Sequence, residues 1–289
     1  MKFIKGLTVL ILLLTIVLIT SYYILFRTPG AVYQAPEQGA EQEKATGEVS
    51  PAPVPELPHR RQGSQESRKT ITIIIDDIGF ALAPVEKLLR IDAPLAFAIL
   101  PYSPHADEAA EMIHGQKREI LLHLPMEPRD RKHNSGPGAL LCSMTASDIK
   151  KQVDEDLAVV PHAAGVNNHM GSAFMEDEEK LSVVLKELQK KGLFFIDSRT
   201  TAASRGKESA RKTGIRFAGR GLFLDSDRQA QELIVKSLLE HREKQSSLVI
   251  IGHPYPDTVA ALQEAIPLLQ SRGIRIVSPS ELVEVVGER

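Results

Sequence analysis

From Lys69 onward the chain alternates short apolar, β-branched runs with longer stretches whose apolar residues recur every three or four positions. Residues 72–75, 95–100, 119–124, 165–168, 193–197, 222–224, 248–252 and 274–277 predict strands. In the first, Ile71, Ile73, Ile74 and Ile75 form an apolar run interrupted only by Thr72, the pattern of a parallel-sheet strand buried on both faces. The intervening stretches predict helices. "TASDIKKQVDEDLAVVP" opens with a capping box, Thr145 and Asp148, aligns Ile149, Val153 and Leu157 on one face, and stops at Pro161. "EDEEKLSVVLKELQKKG" starts acidic and ends basic, as the helix dipole favours, aligns Leu181, Val184, Leu185 and Leu188, and closes at Gly192. Strand and helix in regular alternation mean a parallel α/β architecture in one domain, wound as a barrel or an open sheet.

The first 68 residues follow other rules. Lys2 and Lys5 precede residues 6–26, which are uncharged and apolar, and Arg27 ends the run. A bilayer-crossing helix needs roughly 20 such residues, and a cleavable signal core has only roughly 7–15. Residues 1–27 are therefore expected to be an uncleaved signal anchor in the bacterial cytoplasmic (inner) membrane, lysines inward. Residues 28–68, rich in Pro, Glu, Gln, Gly and Ser, lack the apolar surface to offset ordering entropy and predict a flexible linker. Residues 69–289 would then form an extracytoplasmic or periplasmic domain.

Composition removes several alternatives. A formal net charge of −2 argues against nucleic acid as a partner, because phosphate binding needs a basic face. Cys142 is the single cysteine, which excludes an intramolecular disulfide and a cysteine-based zinc site, and predicts a small packed side chain. Trp, the usual stacking platform for sugars, is absent, which leaves Phe80, Tyr102, Phe174 and Tyr255 near strand ends as the candidates for packing against a sugar ring, although each is expected to pack in the core instead.

The polar residues fall at corresponding places. Asp76 and Asp77 end the first strand, His123 lies near the end of the third, and His169 ends the fourth. Asp197 and Arg199 end the fifth, Asp225 follows "GLFL", and His253 follows "LVIIG". Paired aspartates could simply cap the next helix, and one histidine could be a hydrogen-bonded core residue. Three histidines and two acidic positions at the carboxyl ends of parallel strands converge on one face, and favour a metal site.

The motifs "IIIDDIGF", "LPYSPHADEAA", "REILLHLPMEP", "GVNNHMGSAF", "FFIDSRT" and "GHPYPDTVAAL", taken in order, resemble the divergent polysaccharide deacetylases, relatives of the NodB-type carbohydrate deacetylases. The resemblance implies one irregular (β/α) barrel of about seven strands and a divalent metal held by one Asp and two His. By the NodB pattern Asp76 is the general base, Asp77 a ligand, His123 the first His ligand, His253 the acid that protonates the leaving amine, and Arg199 the residue orienting the base. "HLPME" departs from the His-x-x-x-His pair of that family, with Glu127 in the second position. His169 is then the expected second ligand, with Glu127 either a direct ligand or an acid orienting an imidazole, and Asp197 and Asp225 in supporting or turn positions. Zn²⁺ is the expected metal, with Co²⁺, Ni²⁺ or Fe²⁺ able to substitute. The implied reaction is removal of N-acetyl groups from a cell-envelope polysaccharide or peptidoglycan. Two rival readings stand beside it: a catalytically inactive barrel that binds an envelope glycan or protein, and a hydrolase of another amide or ester.

Overall fold

Seven strands run in one direction and close on themselves. In the computed structural model, which describes residues 69–225, 230–241 and 247–287, these are β1 (Thr70–Ile78), β2 (Ala96–Ile99), β3 (Ile120–Met126), β4 (Ala163–Met170), β5 (Phe194–Asp197), β6 (Arg216–Phe223) and β7 (Ser247–Gly252). Each pairs in parallel with the next, and β1 pairs with both β2 and β7, which closes the ring. The intervening helices are α1 (Leu82–Leu89), α2 (Ala106–Gly115), α3 (Ala146–Ala158), α4 (Glu178–Lys190), α5 (Gly206–Thr213), α6 (Gln231–His241) and α7 (Pro256–Ser271), with a 3₁₀ turn at Phe174–Glu176. A short α8 (Pro279–Leu282) lies between β8 (Arg275–Ile276), beside β1, and β9 (Glu284–Val285), antiparallel to β6. The expected anchor and linker lie outside the described residues. Among the described residues no helix is long and apolar enough to cross a membrane.

Alternation along the strands divides the core in two. Ile74, Ala96, Ala98, Leu121, Phe194, Ile196, Val249 and Ile251 fill the barrel interior. The odd-numbered partners on β1, Ile73 and Ile75, face outward into the larger apolar shell, which also holds Leu181, Val184, Leu185, Leu188 and the apolar faces of the other helices. Each fully buried Leu, Ile or Phe contributes roughly 1.5–3 kcal/mol, so the barrel rests on an apolar core on both sides of its wall. The capping box at α3 forms as expected, Thr145 Oγ1 accepting from Asp148 N–H. α4 ends at Lys190, two residues before Gly192, whose φ of 76° turns the chain away.

Two strand expectations are corrected. β6 begins at Arg216, six positions before the expected start at residue 222, because its first six residues, "RFAGRG", hide the alternation behind arginines and glycines while their backbone pairs with β5. The expected strand at 274–277 is reduced to β8, which pairs with β1 and stays off the closed ring.

Candidate metal centre and active site

The same alternation that fills the barrel delivers its chemistry. Two residues beyond the interior positions Ile74, Leu121 and Ile251 come Asp76, His123 and His253, and the inward side of β4 carries Gly165, Asn167 and His169 in turn. All stand at the carboxyl ends of the strands, the mouth of the barrel. Gly165 is needed there, because a Cβ would lie 2.3 Å from the Phe194 ring that occupies the space inside. Asp77 breaks the alternation by a bulge: Asp76 and Asp77 together oppose Ala98, between the pairs Ile75–Phe97 and Ile78–Ile99. Its φ of 56°, a left-handed conformation that Asp tolerates better than most residues, turns the second carboxylate into the mouth as well.

Three potential ligand atoms meet. Asp77 Oδ1 lies 3.3 Å from His123 Nε2 and 3.1 Å from His169 Nδ1, and the two imidazole nitrogens are 3.1 Å apart. Ligands about 2.0–2.1 Å from one tetrahedral ion stand about 3.3 Å from each other, so the spacing fits a bound cation. Asp77 Oδ1 is buried without an aligned hydrogen bond. A carboxylate oxygen and two imidazole nitrogens converging with no aligned donor on that oxygen form a donor set for Zn²⁺-like ions, and among the described residues these three form the group able to hold one.

Register explains how His123 is oriented. His123 and Asn167 are direct neighbours across β3 and β4. Asn167 Nδ2 donates to Asp76 Oδ1 at 2.8 Å, which points its Oδ1 at His123 Nδ1, 2.9 Å away. His123 therefore donates through Nδ1 and keeps its Nε2 lone pair for the cluster. Asn167 also donates to Ser198 Oγ at 3.3 Å, and its neighbour Asn168 accepts from Ser198 N–H at 2.8 Å, tying β4 to the β5 end.

The flanking groups are tuned in opposite directions. Burial raises the pKa of Asp76 despite His123 and the Asn167 hydrogen bond, making it a better proton acceptor. Asp77 is buried too, yet the imidazoles of His123 and His169 hold its pKa below the usual carboxylate range. Burial opposes charge on His253, but the Asp225 carboxylate outweighs it and raises the imidazole pKa. Asp225 Oδ1 accepts from His253 Nδ1 at 2.8 Å, and Oδ2 from His253 N–H at 2.7 Å and Thr258 Oγ1 at 2.6 Å. That fixes the ring with Nε2 directed inward, 3.6 Å from Asp77 Oδ2.

Other expected residues sit elsewhere. Glu127 Oε2 accepts from Cys142 N–H at 2.6 Å, outside the converging trio. Cys142 packs half-buried as expected, its thiol pushed up to about 11 by burial and Glu127. Asp197 accepts from Arg199 N–H and Ser204 Oγ, both at 2.7 Å, an arrangement that shapes the turn after β5. The Arg199 side chain lies against Gly219 and a cleft shared with Lys207 and Glu208. The hydrogen bond on Asp76 comes from Asn167 instead, and Arg220 braces the strand end by donating to the Ser198 and Arg199 carbonyls at 2.6 and 2.9 Å. Sequence reasoning passed over Asn167 and Arg220; the one signal for Asn167 was an amide at an inward strand position. Of the aromatic residues, Phe174 is core, but Phe80 and Tyr102 are 64% and 44% exposed, correcting the expectation that they pack inside. Both stand on loops leaving the barrel mouth, beyond reach of the apolar shell.

The closed parallel barrel is consistent with a NodB-like (β/α) barrel, and the Asp-His-His cluster at its mouth is the ligand set that the resemblance implies. The profile of the divergent polysaccharide deacetylases matches residues 73–283, and the chain belongs to that family. It is 33% identical over 199 residues to an uncharacterized protein of Haemophilus influenzae, spanning 68% of this chain and 71% of that one. Among solved structures, an uncharacterized protein of Agrobacterium tumefaciens C58 matches with a TM-score of 0.70 and 22% identity, over 76% of this chain and 91% of that one. A mutant of a Bacillus anthracis CE4 family pseudoenzyme, described as having restored enzymatic activity, matches with a TM-score of 0.53 and 14% identity, over 74% and 67% of the two chains. Both structures share the fold with this chain.

Proposed function

We propose that this protein removes N-acetyl groups from a cell-envelope glycan, polysaccharide or peptidoglycan, in a metal-dependent hydrolysis. The observation that carries the reading is the meeting of Asp77 Oδ1, His123 Nε2 and His169 Nδ1 within 3.3 Å of one another, between Asp76 and His253. Zn²⁺, or Co²⁺, Ni²⁺ or Fe²⁺ in its place, held by Asp77, His123 and His169 would polarise the acetyl carbonyl and acidify water. Asp76, its proton affinity raised by burial and its orientation set by Asn167, takes a proton from water attacking that carbonyl. His253, whose proton affinity Asp225 raises, gives a proton to the departing amine. The products are acetate and a free amino sugar. The apolar run and linker of residues 1–68 support a membrane-tethered, extracytoplasmic location within reach of envelope glycans.

Elemental analysis of the full chain, purified without chelator, is the first test. Near-stoichiometric metal that is lost in His123→Ala and His169→Ala is expected, together with acetate release from N-acetylated oligosaccharides. Asp76→Asn should retain metal and lose turnover by about 10²–10⁴-fold. A parent chain that neither retains nor regains Zn²⁺, Co²⁺ or Ni²⁺ overturns the hydrolase reading. Metal without turnover on any acetylated glycan, ester or amide would point to a binding barrel.

A further inference from the structure

A cleft of about 260 Å³ opens beside the cluster, reaching Asp77 and His169 at one end and walled by Phe80, Tyr102, Pro101 and Pro137. Phe80 and Tyr102 leave much of their apolar rings in water, at 64% and 44% exposure, which is unfavourable unless a ligand covers them. Tyr102 also has a φ of 58°, a left-handed conformation that costs roughly 1–2 kcal/mol for a residue with a side chain. A conformation of that kind persists only where the surroundings over-determine it.

The surroundings here are unusual. The Tyr102 hydroxyl faces the carboxyl group of Asp156, a residue of α3 with no exposed surface. Asp156 Oδ1 accepts from Gln152 Nε2 at 2.9 Å, while Oδ2 is buried without an aligned partner. Gly138 closes the same corner with a φ of 80°: a Cβ there would lie 2.4 Å from Asp156 Oδ1 and 2.9 Å from Tyr102 Cε2. Backbone strain, an incompletely satisfied buried acid and a close glycine approach all act on one exposed ring at the edge of the cleft.

Resting on the deacetylase reading of the site, we infer that Phe80 and Tyr102 are the walls that grip the pyranose ring carrying the acetyl group, and that Asp156 is a positioning residue for Tyr102. The C–H faces of a pyranose are apolar and suit flat aromatic surfaces, and a chain without Trp must build such a wall from Phe and Tyr. The cleft leads from these rings to Asp77 and His169, so a sugar held between them presents its substituents to the cluster.

The test uses the metal-loaded full chain and two substrates: an N-acetylglucosamine tetramer, which needs the walls, and 4-nitrophenyl acetate, which needs only the cluster. Phe80→Ala and Tyr102→Ala are expected to raise KM for the tetramer about tenfold, with metal content, tetramer kcat and nitrophenyl acetate hydrolysis within about threefold of the parent. Asp156→Ala should raise KM for the tetramer in the same way and Asp156→Asn should restore it, a split that a general loss of folding would not give. An unchanged tetramer KM, or parallel loss of both substrates, overturns the inference. Should the parent release no acetate from the tetramer, the walls are decided apart from the deacetylase reading, by calorimetric titration with the same tetramer. Binding that weakens about tenfold in Phe80→Ala and Tyr102→Ala upholds them, and no binding by the parent overturns them.

Discussion

Asn167 makes one amide serve two neighbours in the proposed site. Its Nδ2 restrains the proposed base Asp76, and its Oδ1 selects the tautomer of His123 that leaves a lone pair for metal. Removing such a partner from a ligating histidine typically costs 10–100-fold in metal affinity. Asn167→Ala is expected to fall in that range in a competition titration against a zinc indicator, with its circular dichroism spectrum unchanged. Asp156 offers a separate test by pH. Burial pushes its carboxyl up to about 7 from 3.8. Between those values the folded chain keeps a proton that the unfolded chain has released. Stability from this group is full below about pH 4 and is lost as pH rises towards 7. Wild-type protein should therefore lose stability relative to Asp156→Asn between pH 5 and 7, by on the order of 2 kcal/mol as read from denaturant titrations. Titratable carboxylates and imidazoles announce themselves in a sequence, and Asp76, Asp77, His123, His169 and His253 were all legible. Asn167 was not, because an amide has no chemistry of its own and acts only through the neighbour that the strand register assigns to it.

The decisive element is the pair β1 and β4. β1 spends a bulge at Asp76 and Asp77 to send two successive carboxylates to the mouth, whereas β4 stays regular and sends Asn167 and His169 by simple alternation. β4 can lie at this distance from β5 only because Gly165 makes room for Phe194, fully buried inside the barrel. Gly165→Ala is expected to cost about 1–3 kcal/mol by overpacking, read as a lower urea midpoint with unchanged slope. It should also weaken metal binding, since the strain enters two and four residues before Asn167 and His169. Most strands could be read directly, because buried parallel strands are uninterrupted apolar runs. β6 could not: Arg216, Gly219 and Arg220 lie on it because one face meets the Arg199 side chain and another braces the β5 end, contacts that exist only after folding. The exposed Tyr102 was hidden for the same reason, its position being set by Asp156 and Gly138, 54 and 36 residues further along the chain.

At the scale of the whole molecule, the cluster sits on a barrel that does not need it to close. The interior is filled by Ile74, Ala96, Ala98, Leu121, Phe194, Ile196, Val249 and Ile251, all below the proposed ligands. A larger apolar shell joins the strands to the helices without Asp77, His123 or His169. The proposed metal should thus act as a ligand that stabilises a preformed site, unlike the structural ions of small domains that fold only when loaded. Treatment of the full chain with a strong chelator is expected to leave the far-ultraviolet circular dichroism of the barrel intact while lowering Tm. Re-addition of Zn²⁺ at 100 times its Kd should return about 2.7 kcal/mol. His123→Ala should unfold at the chelated Tm and show no response to Zn²⁺, because it lacks one of three ligands while the apolar interior beneath it is untouched. Loss of the barrel spectrum on chelation would instead mean that the apolar core is insufficient without the ion. The three convergent side chains would then be a structural clamp, and the open coordination positions required for hydrolysis would have to be sought elsewhere in the mouth.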